Sequence, residues 1–261
     1  IFAVISIYIL LKIKTRTPTY TNIITCTMQI PIIYQDEFII CVSKPNNILV
    51  HHAHHSRNMA DEKSLLQLLD QQIGGKFYPI HRLDRKTSGI ILLAKETEHV
   101  SKFQKLFTDN EIQKTYYGVV RGFSPETKII DSPVKGRDSK VYKDALTKLK
   151  TLEQILLDIP VKPYDTSRYS LVELSPKTGR MHQLRVHANK ISHPLIGDSK
   201  YGDKNHDAMF EENFGWKNMF LHAGKLEFKH PFTSEKHALK APFPIDWISL
   251  FKEFKWKNHL D

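Results

Sequence analysis

The spacing of apolar and polar positions divides the chain into short elements. Residues 32–42 (IIYQDEFIICV) hold two apolar runs around a polar Gln-Asp-Glu turn, which predicts two short strands ended by Lys44 and Pro45. Leu65, Leu66, Leu68, Leu69 and Ile73 follow helical spacing and predict an amphipathic helix over residues 61–73, with Asp61 as N-cap and Gly74-Gly75 as its stop. Residues 90–94 (IILLA) form a continuous apolar run of strand length and predict a buried strand. Val100, Phe103, Leu106 and Phe107 share one face of a second helix over residues 97–107, and residues 114–120 are rich in β-formers. Residues 169–174 (YSLVEL) alternate, and the turn at 175–179 leads into a helix from about residue 180 to residue 190. Over residues 220–243 short β segments are broken by His230-Pro231, Pro242 and, just beyond, Pro244. Strands and helices mix without strict βαβ alternation. The pattern therefore predicts an α+β fold with a mixed, largely antiparallel sheet and flanking helices, not a doubly wound one.

With 261 residues, 41% of them hydrophobic and 25% charged, the chain has enough apolar mass for a real core. No repeat or low-complexity linker divides it. Its two cysteines, Cys26 and Cys41, exclude a disulfide scaffold and a four-cysteine zinc site, and suit a reducing cytosol. Lys and Arg number 38 against 28 Asp and Glu, a formal charge of +10 that attracts polyanions, nucleic acid foremost. Residues 1–11 are apolar but too short to span a bilayer, and they lack the preceding basic residues of a signal peptide. A Thr-rich stretch follows, and Met28 directly precedes the first strand. Residues 1–27 are therefore expected to be a non-native or disordered extension, and residues 28–261 the folded domain. The expected location is the cytoplasm.

Common cofactor signatures are missing. Gly74-Gly75-Lys76 fails the phosphate-loop pattern, and His81-Arg82-Leu83-Asp84 departs from the kinase order, with Gly89 where the asparagine is needed. His51-His52-Ala53-His54-His55 reads as a solvated polar loop, since no carboxylate or thiol stands near it. His182, His187 and His193 are spaced by five and six, not by the four that sets two ligands on one helical face, so no metal site is expected. The informative stretch is residues 81–95, where Asp84 stands among His81, Arg82, Arg85 and Lys86, ahead of a Thr-Ser-Gly turn and the buried strand. Surrounding cations favour an ionised carboxylate, which suits a nucleophile or an electrostatic partner better than a general acid. On charge alone, a structural ion pair fits as well.

This stretch resembles the H-R-L-D-x-x-T-S-G motif of the RluA-type pseudouridine synthases. Two more segments match that family in order: residues 114–122 (KTYYGVVRG), with Gly118 in place of the usual alanine, and residues 178–187 (TGRMHQLRVH). The loop at 192–198 (SHPLIGD) and Leu221-His222-Ala223 also fit. Residues 34–37, 49–51, 171–185 and 197–200 are similar to the branch of the family that modifies tRNA.

The resemblance implies a pseudouridine synthase fold and the isomerisation of a uridine within RNA, with no cofactor, membrane or obligate protein partner. The implied substrate is tRNA, with the target at position 65 in the T-stem; ribosomal RNA and a non-catalytic RNA-binding role are the alternatives. By the same resemblance Asp84 is the catalytic aspartate, which either attacks the sugar covalently or assists elimination to a glycal. Arg185 is its arginine partner, and Tyr116 is the aromatic against which the base packs. Arg82 fills the space left by a flipped nucleotide. Arg180, Lys177, Lys44 and Lys200 are expected phosphate contacts. Tyr117, next to Tyr116, is expected on the opposite face of the strand.

Overall fold

The computed structural model describes residues 28–52, 62–135 and 141–260. The amino-terminal extension and residues 53–55 of the histidine run lie outside them. Among the described residues, no helix is long and apolar enough to cross a membrane, and no group of three His, Cys, Asp or Glu side chains could hold a metal ion.

The first strands, β1 (Ile32–Gln35) and β2 (Ile39–Lys44), pair antiparallel. Asp36 makes the turn between them, its Oδ1 accepting from the amides of Phe38 and Ile39, each at 2.8 Å. Helix α1 (Leu65–Ile73) is shorter than the spacing predicts. Its N-cap is Ser64, not Asp61, because Ser64 and Gln67 form a reciprocal capping box that satisfies two orphan amides. Leu65 and Leu69 are buried, and Gly74 ends the helix at φ 70°. Next come β3 (Tyr78–Pro79), the fully buried β4 (Ser88–Ala94), α2 (Thr97–Thr108) and β5 (Gln113–Arg121).

A run of strands follows: β6 (Thr127–Asp131), the short β7 (Val134–Lys135) and β8 (Tyr142–Lys143), β9 (Leu146–Leu157) and β10 (Ser167–Pro176). Then α3 (Gln183–Lys190), α4 (Lys204–Phe214), β11 (Leu221–Lys229), β12 (Lys236–Lys240) and α5 (Ile245–Phe254) complete the chain. Ten strands form one sheet, with β1-β2-β4-β11-β5-β10-β9-β6 in order, β12 on β11 and β3 on β4. Every pairing in it is antiparallel except β4 with β11. The α+β expectation holds.

Apolar residues from both ends of the sheet build separate clusters. One joins β2 and β4 to α1 and α2 through Leu65, Leu69, Ile91 and Phe103. A second joins β5 and β10 to α4 and α5 through Tyr117, Tyr169, Phe210 and Trp247. A third lies under α3 through Val120, Val172, Leu184 and Ala188. The period of two along β5 sends Tyr117 into the second cluster, its hydroxyl donating to the His259 carbonyl at 3.0 Å. Tyr116 instead packs against the first and third clusters, beside a cleft.

The parallel seam holds the middle of the sheet together. His222 pairs with Ser88, and Ala223 with Gly89. Gly89 has φ 109°, and a Cβ there would stand 2.2 Å from the Ala223 carbonyl oxygen. The fully buried His222 accepts from Ser88 Oγ through Nδ1 at 2.9 Å, and its Nε2 donates to the Ala241 carbonyl at 3.1 Å. Burial drives its pKa down to about 4, although the carbonyl bond opposes the shift, so the ring is neutral at pH 7.

Two outcomes follow from this seam. Gly89→Ala should lower unfolding stability by at least ~2 kcal/mol, measured in urea, since it combines a forbidden φ with a backbone clash. The His222 contribution should be complete above pH ~6.5, where the ring is neutral in both states. Below that, the unfolded chain takes up the proton first, so stability falls as pH approaches the folded value of about 4. At pH 5 this loss is about 2 kcal/mol for the one ring. If His222→Gln loses stability between pH 7 and pH 5 as steeply as the parent, the assignment is wrong.

Candidate active site

The segment between β3 and β4 carries Asp84, and its neighbours fix it from three sides. His81 accepts the Leu92 amide through Nε2 at 3.0 Å and stacks on Phe107 with centroids 4.6 Å apart. Burial, with Lys114 adding to it, lowers its pKa to about 3. His81 is thus a neutral pin between loop and strand. Leu83 is buried in the first cluster, and the Thr87 amide donates to the Asp84 carbonyl at 3.0 Å, closing a turn that carries Asp84, whose half-buried side chain lines a cleft.

Lys44 lies beneath this loop and corrects an expectation. It is fully buried, and its Nζ donates to the carbonyls of Pro45, Ile48 and Arg85 at 2.8, 3.0 and 3.1 Å. It therefore has no surface to offer a phosphate. Burial lowers its pKa to about 7, while the nearby Asp84 charge opposes that shift. Three carbonyl acceptors match the three N–H of an ammonium.

Arg185 arrives on α3, and the start of that helix explains how. The Gln183 side chain accepts from the Arg180 amide and the Thr178 hydroxyl, at 3.0 and 2.7 Å. It also donates to the Leu146 carbonyl and the Thr147 hydroxyl, both at 3.0 Å. These bonds hold residues 178–182 as a loop tied to β9, so the helix begins at Gln183 rather than near residue 180. His182 enters it in the left-handed region, at φ 56°.

The guanidinium of Arg185 then meets two carboxylates. Its Nε and Nη2 donate to Oδ2 and Oδ1 of Asp198 at 2.7 and 2.6 Å, and its Nη1 donates to Asp84 Oδ2 at 3.1 Å. Tyr201 covers the guanidinium, with Cζ 5.2 Å from the ring centre. Burial works against the charge on Arg185, but the two carboxylates outweigh it and hold the pKa above its ordinary value. Asp198 is 2% exposed. Its own burial is outweighed by Arg185 and by the Lys200 and Tyr201 amides, so its pKa is lowered. The position of Asp198 depends on Gly197, at φ 78°, where a Cβ would stand 2.3 Å from the Asn218 carbonyl oxygen.

These groups face a cleft of about 650 Å³ that Tyr116, Asp84, Arg82, Lys114, Arg180 and Arg185 all line. Burial, then the Asp84 charge, pushes the Tyr116 phenol far above its ordinary value, so it keeps its proton at neutral pH. His182 Nε2 lies 3.7 Å from Asp84 Oδ2, and Nδ1 lies 3.2 Å from the Tyr201 hydroxyl. Burial lowers the His182 pKa.

Of the residues singled out from the sequence, Asp84, Tyr116, Arg185, Arg82 and Arg180 thus share one cleft. Arg82 is exposed at its edge, and Arg180 is exposed with Nε donating to the Asp144 carbonyl at 3.0 Å. Lys177 is exposed just beyond β10, and Lys200 is exposed with Nζ 5.2 Å from the Tyr201 ring centre. Sequence reasoning assigned no role to Asp198, Gln183 or Lys114. Their signal was present only as membership of the quoted stretches.

A carboxylate with an oriented arginine, an aromatic wall and a cationic rim suits chemistry on a sugar-linked base. A family model described as RNA pseudouridylate synthase matches residues 38–190. The chain is 36% identical over 239 residues to the tRNA pseudouridine synthase C of Vibrio cholerae, covering 88% of this chain and 97% of that relative. It is 37% identical over 239 residues to the protein of the same name in Pasteurella multocida, covering 88% and 98%. The solved structure titled Human RNA Pseudouridylate Synthase Domain Containing 4 shares the fold at a TM-score of 0.67 and 24% identity, covering 87% of this chain and 94% of that one. The family match spans more than half of the chain, and the bacterial relatives align almost end to end: the chain belongs to the RNA pseudouridylate synthase family.

Proposed function

We propose that the protein converts a uridine of tRNA to pseudouridine, at position 65 of the T-stem, in the cytoplasm. The observation that carries the chemistry is the meeting of Asp84, Arg185 and Tyr116 in one basic cleft. The names of the bacterial relatives support the choice of tRNA.

In this reaction the C1′–N1 bond breaks, the uracil turns, and a C1′–C5 bond forms. The proton on C5 is lost and N1 gains one, so atoms balance without a cofactor. Asp84 works at the sugar, by attack on C1′ or by assisting elimination, and Arg185 sets its direction. Tyr116 gives the base an apolar face, and its protonated hydroxyl can donate. A paired uridine must leave its stem to reach Asp84, at a cost of a few kcal/mol. Arg82, exposed two residues away, fills the space it leaves. Arg180, Lys177 and Lys200 contact phosphates.

Asp84→Asn should abolish pseudouridine in a T-stem transcript, mapped by carbodiimide-based sequencing, while RNA affinity stays within about tenfold. Turnover near that of the parent would refute the assignment, and product at another uridine would refute the site. A salt titration separates the lysines. Lys177→Ala should reduce the slope of log affinity against log salt by about 1, whereas Lys44→Met should leave it unchanged. A reduced slope for Lys44→Met would mean that the ammonium reaches RNA.

A further inference from the structure

We propose that Asp198 is a positioning residue for the reaction: it occupies the fork of Arg185, so that Asp84 receives one hydrogen bond and keeps its second oxygen for the ribose. The inference rests on the reading of Asp84 as the reacting carboxylate.

A guanidinium beside a lone carboxylate tends to pair through two parallel N–H bonds and commit both oxygens. Here that fork is taken, since Nε and Nη2 of Arg185 point at the two oxygens of Asp198. What remains for Asp84 is Nη1, at 3.1 Å from Oδ2. Among the described residues, Asp84 Oδ1 accepts no hydrogen bond. Asp198 cannot follow if Arg185 shifts, because the Lys200 and Tyr201 amides also hold its Oδ1, at 3.0 and 3.2 Å. The Tyr201 ring lies over the guanidinium, its centre 5.2 Å from Cζ.

Charge works in the same direction. Without Asp198, the Arg185 charge would fall on Asp84 alone and offset it; with Asp198 in place, two carboxylates share the guanidinium. Asp84 thus keeps more of its negative charge for the positive charge that develops at C1′ as the C1′–N1 bond breaks. Asp198 is buried and does not line the cleft, so it acts through Arg185.

Asp198→Asn tests this, since it keeps the size and one acceptor oxygen but removes the charge and the second acceptor. With a tRNA transcript, kcat should fall by about tenfold to a hundredfold while KM and RNA affinity stay within about twofold. Asp198→Glu, which restores the charge, should recover part of the loss. In an Arg185→Gln background, measured by single turnover, Asp198→Asn should cost nothing further, because the residue it acts through is gone. Full kcat in Asp198→Asn, additive losses in the double variant, or loss of RNA affinity and thermal stability with kcat intact would each overturn the proposal. If Asp198→Asn does not fold, Asp198→Glu decides: a lowered kcat at unchanged RNA affinity supports the role, and an unchanged kcat removes it. Asp84→Asn, run alongside, separates the two readings. An inert Asp84→Asn with a fully active Asp198→Asn removes this inference alone, whereas an active Asp84→Asn removes the reading beneath it.

Discussion

An arginine that is 6% exposed cannot carry its charge in the protein uncompensated. Arg185 therefore dictates which segments meet. It needs carboxylates within hydrogen-bond reach, and they come from two separate loops, at Asp84, far away in sequence, and at Asp198, just beyond α3. Removing either one leaves the other to carry a buried cation through a geometry built for two. The cleft is the space left where these loops, α3 and the face of β5 bearing Tyr116 converge.

Such a convergence is only as accurate as the strands behind it. Asp84 precedes β4, which is buried along its whole length between β2 and β11. The parallel seam with β11 sets the depth of β4 in the sheet, and Gly89 permits it, because no side chain fits against the Ala223 carbonyl. On the other side of β11, β5 presents Tyr116 to the cleft and Tyr117 to the core. A one-residue slip there would exchange an aromatic wall for a buried hydroxyl bonded to the His259 carbonyl. Gly89, near the start of β4, thus controls the carboxylate five residues earlier through strand register.

Elements with one clear period were legible in the sequence: β1 and β2 around Asp36, β4 as an unbroken apolar run, and α2 through Val100, Phe103 and Leu106. Helix starts were less so. Ser64 displaced Asp61 because a capping box needs a glutamate or glutamine three residues on, and Gln67 supplies it. The start of α3 moved to Gln183 because side-chain bonds to β9 satisfy the residue 178–182 loop, a tertiary effect with no local signature. Strand β9 was not marked, since LTKLKTLEQILL supports both periods and its place near the edge of the sheet is fixed by pairing with β10 and β6. Helix α5 was hidden behind Pro242 and Pro244, although Trp247, Leu250, Phe251 and Phe254 keep helical spacing. In the candidate site, the motif brought Asp84 and Arg185 into view, but it could not show that Arg185 has a second carboxylate. That fact lives in three dimensions.

Lys44 shows why a charge count does not locate a binding surface. Counted in the excess of +10, it looks like any other cation able to meet a phosphate. Folded, it spends its three N–H bonds on carbonyls and lies beneath the loop that carries Asp84. Arg185 is likewise consumed inside. The cations left for a polyanion are the exposed ones, among them Arg82, Arg180, Lys177 and Lys200. Depth thus separates two jobs done by the same chemistry. A positive rim can attract RNA over distances near a Debye length, about 8 Å in physiological salt. The buried cations act at contact distance, where geometry decides the outcome and salt has little access.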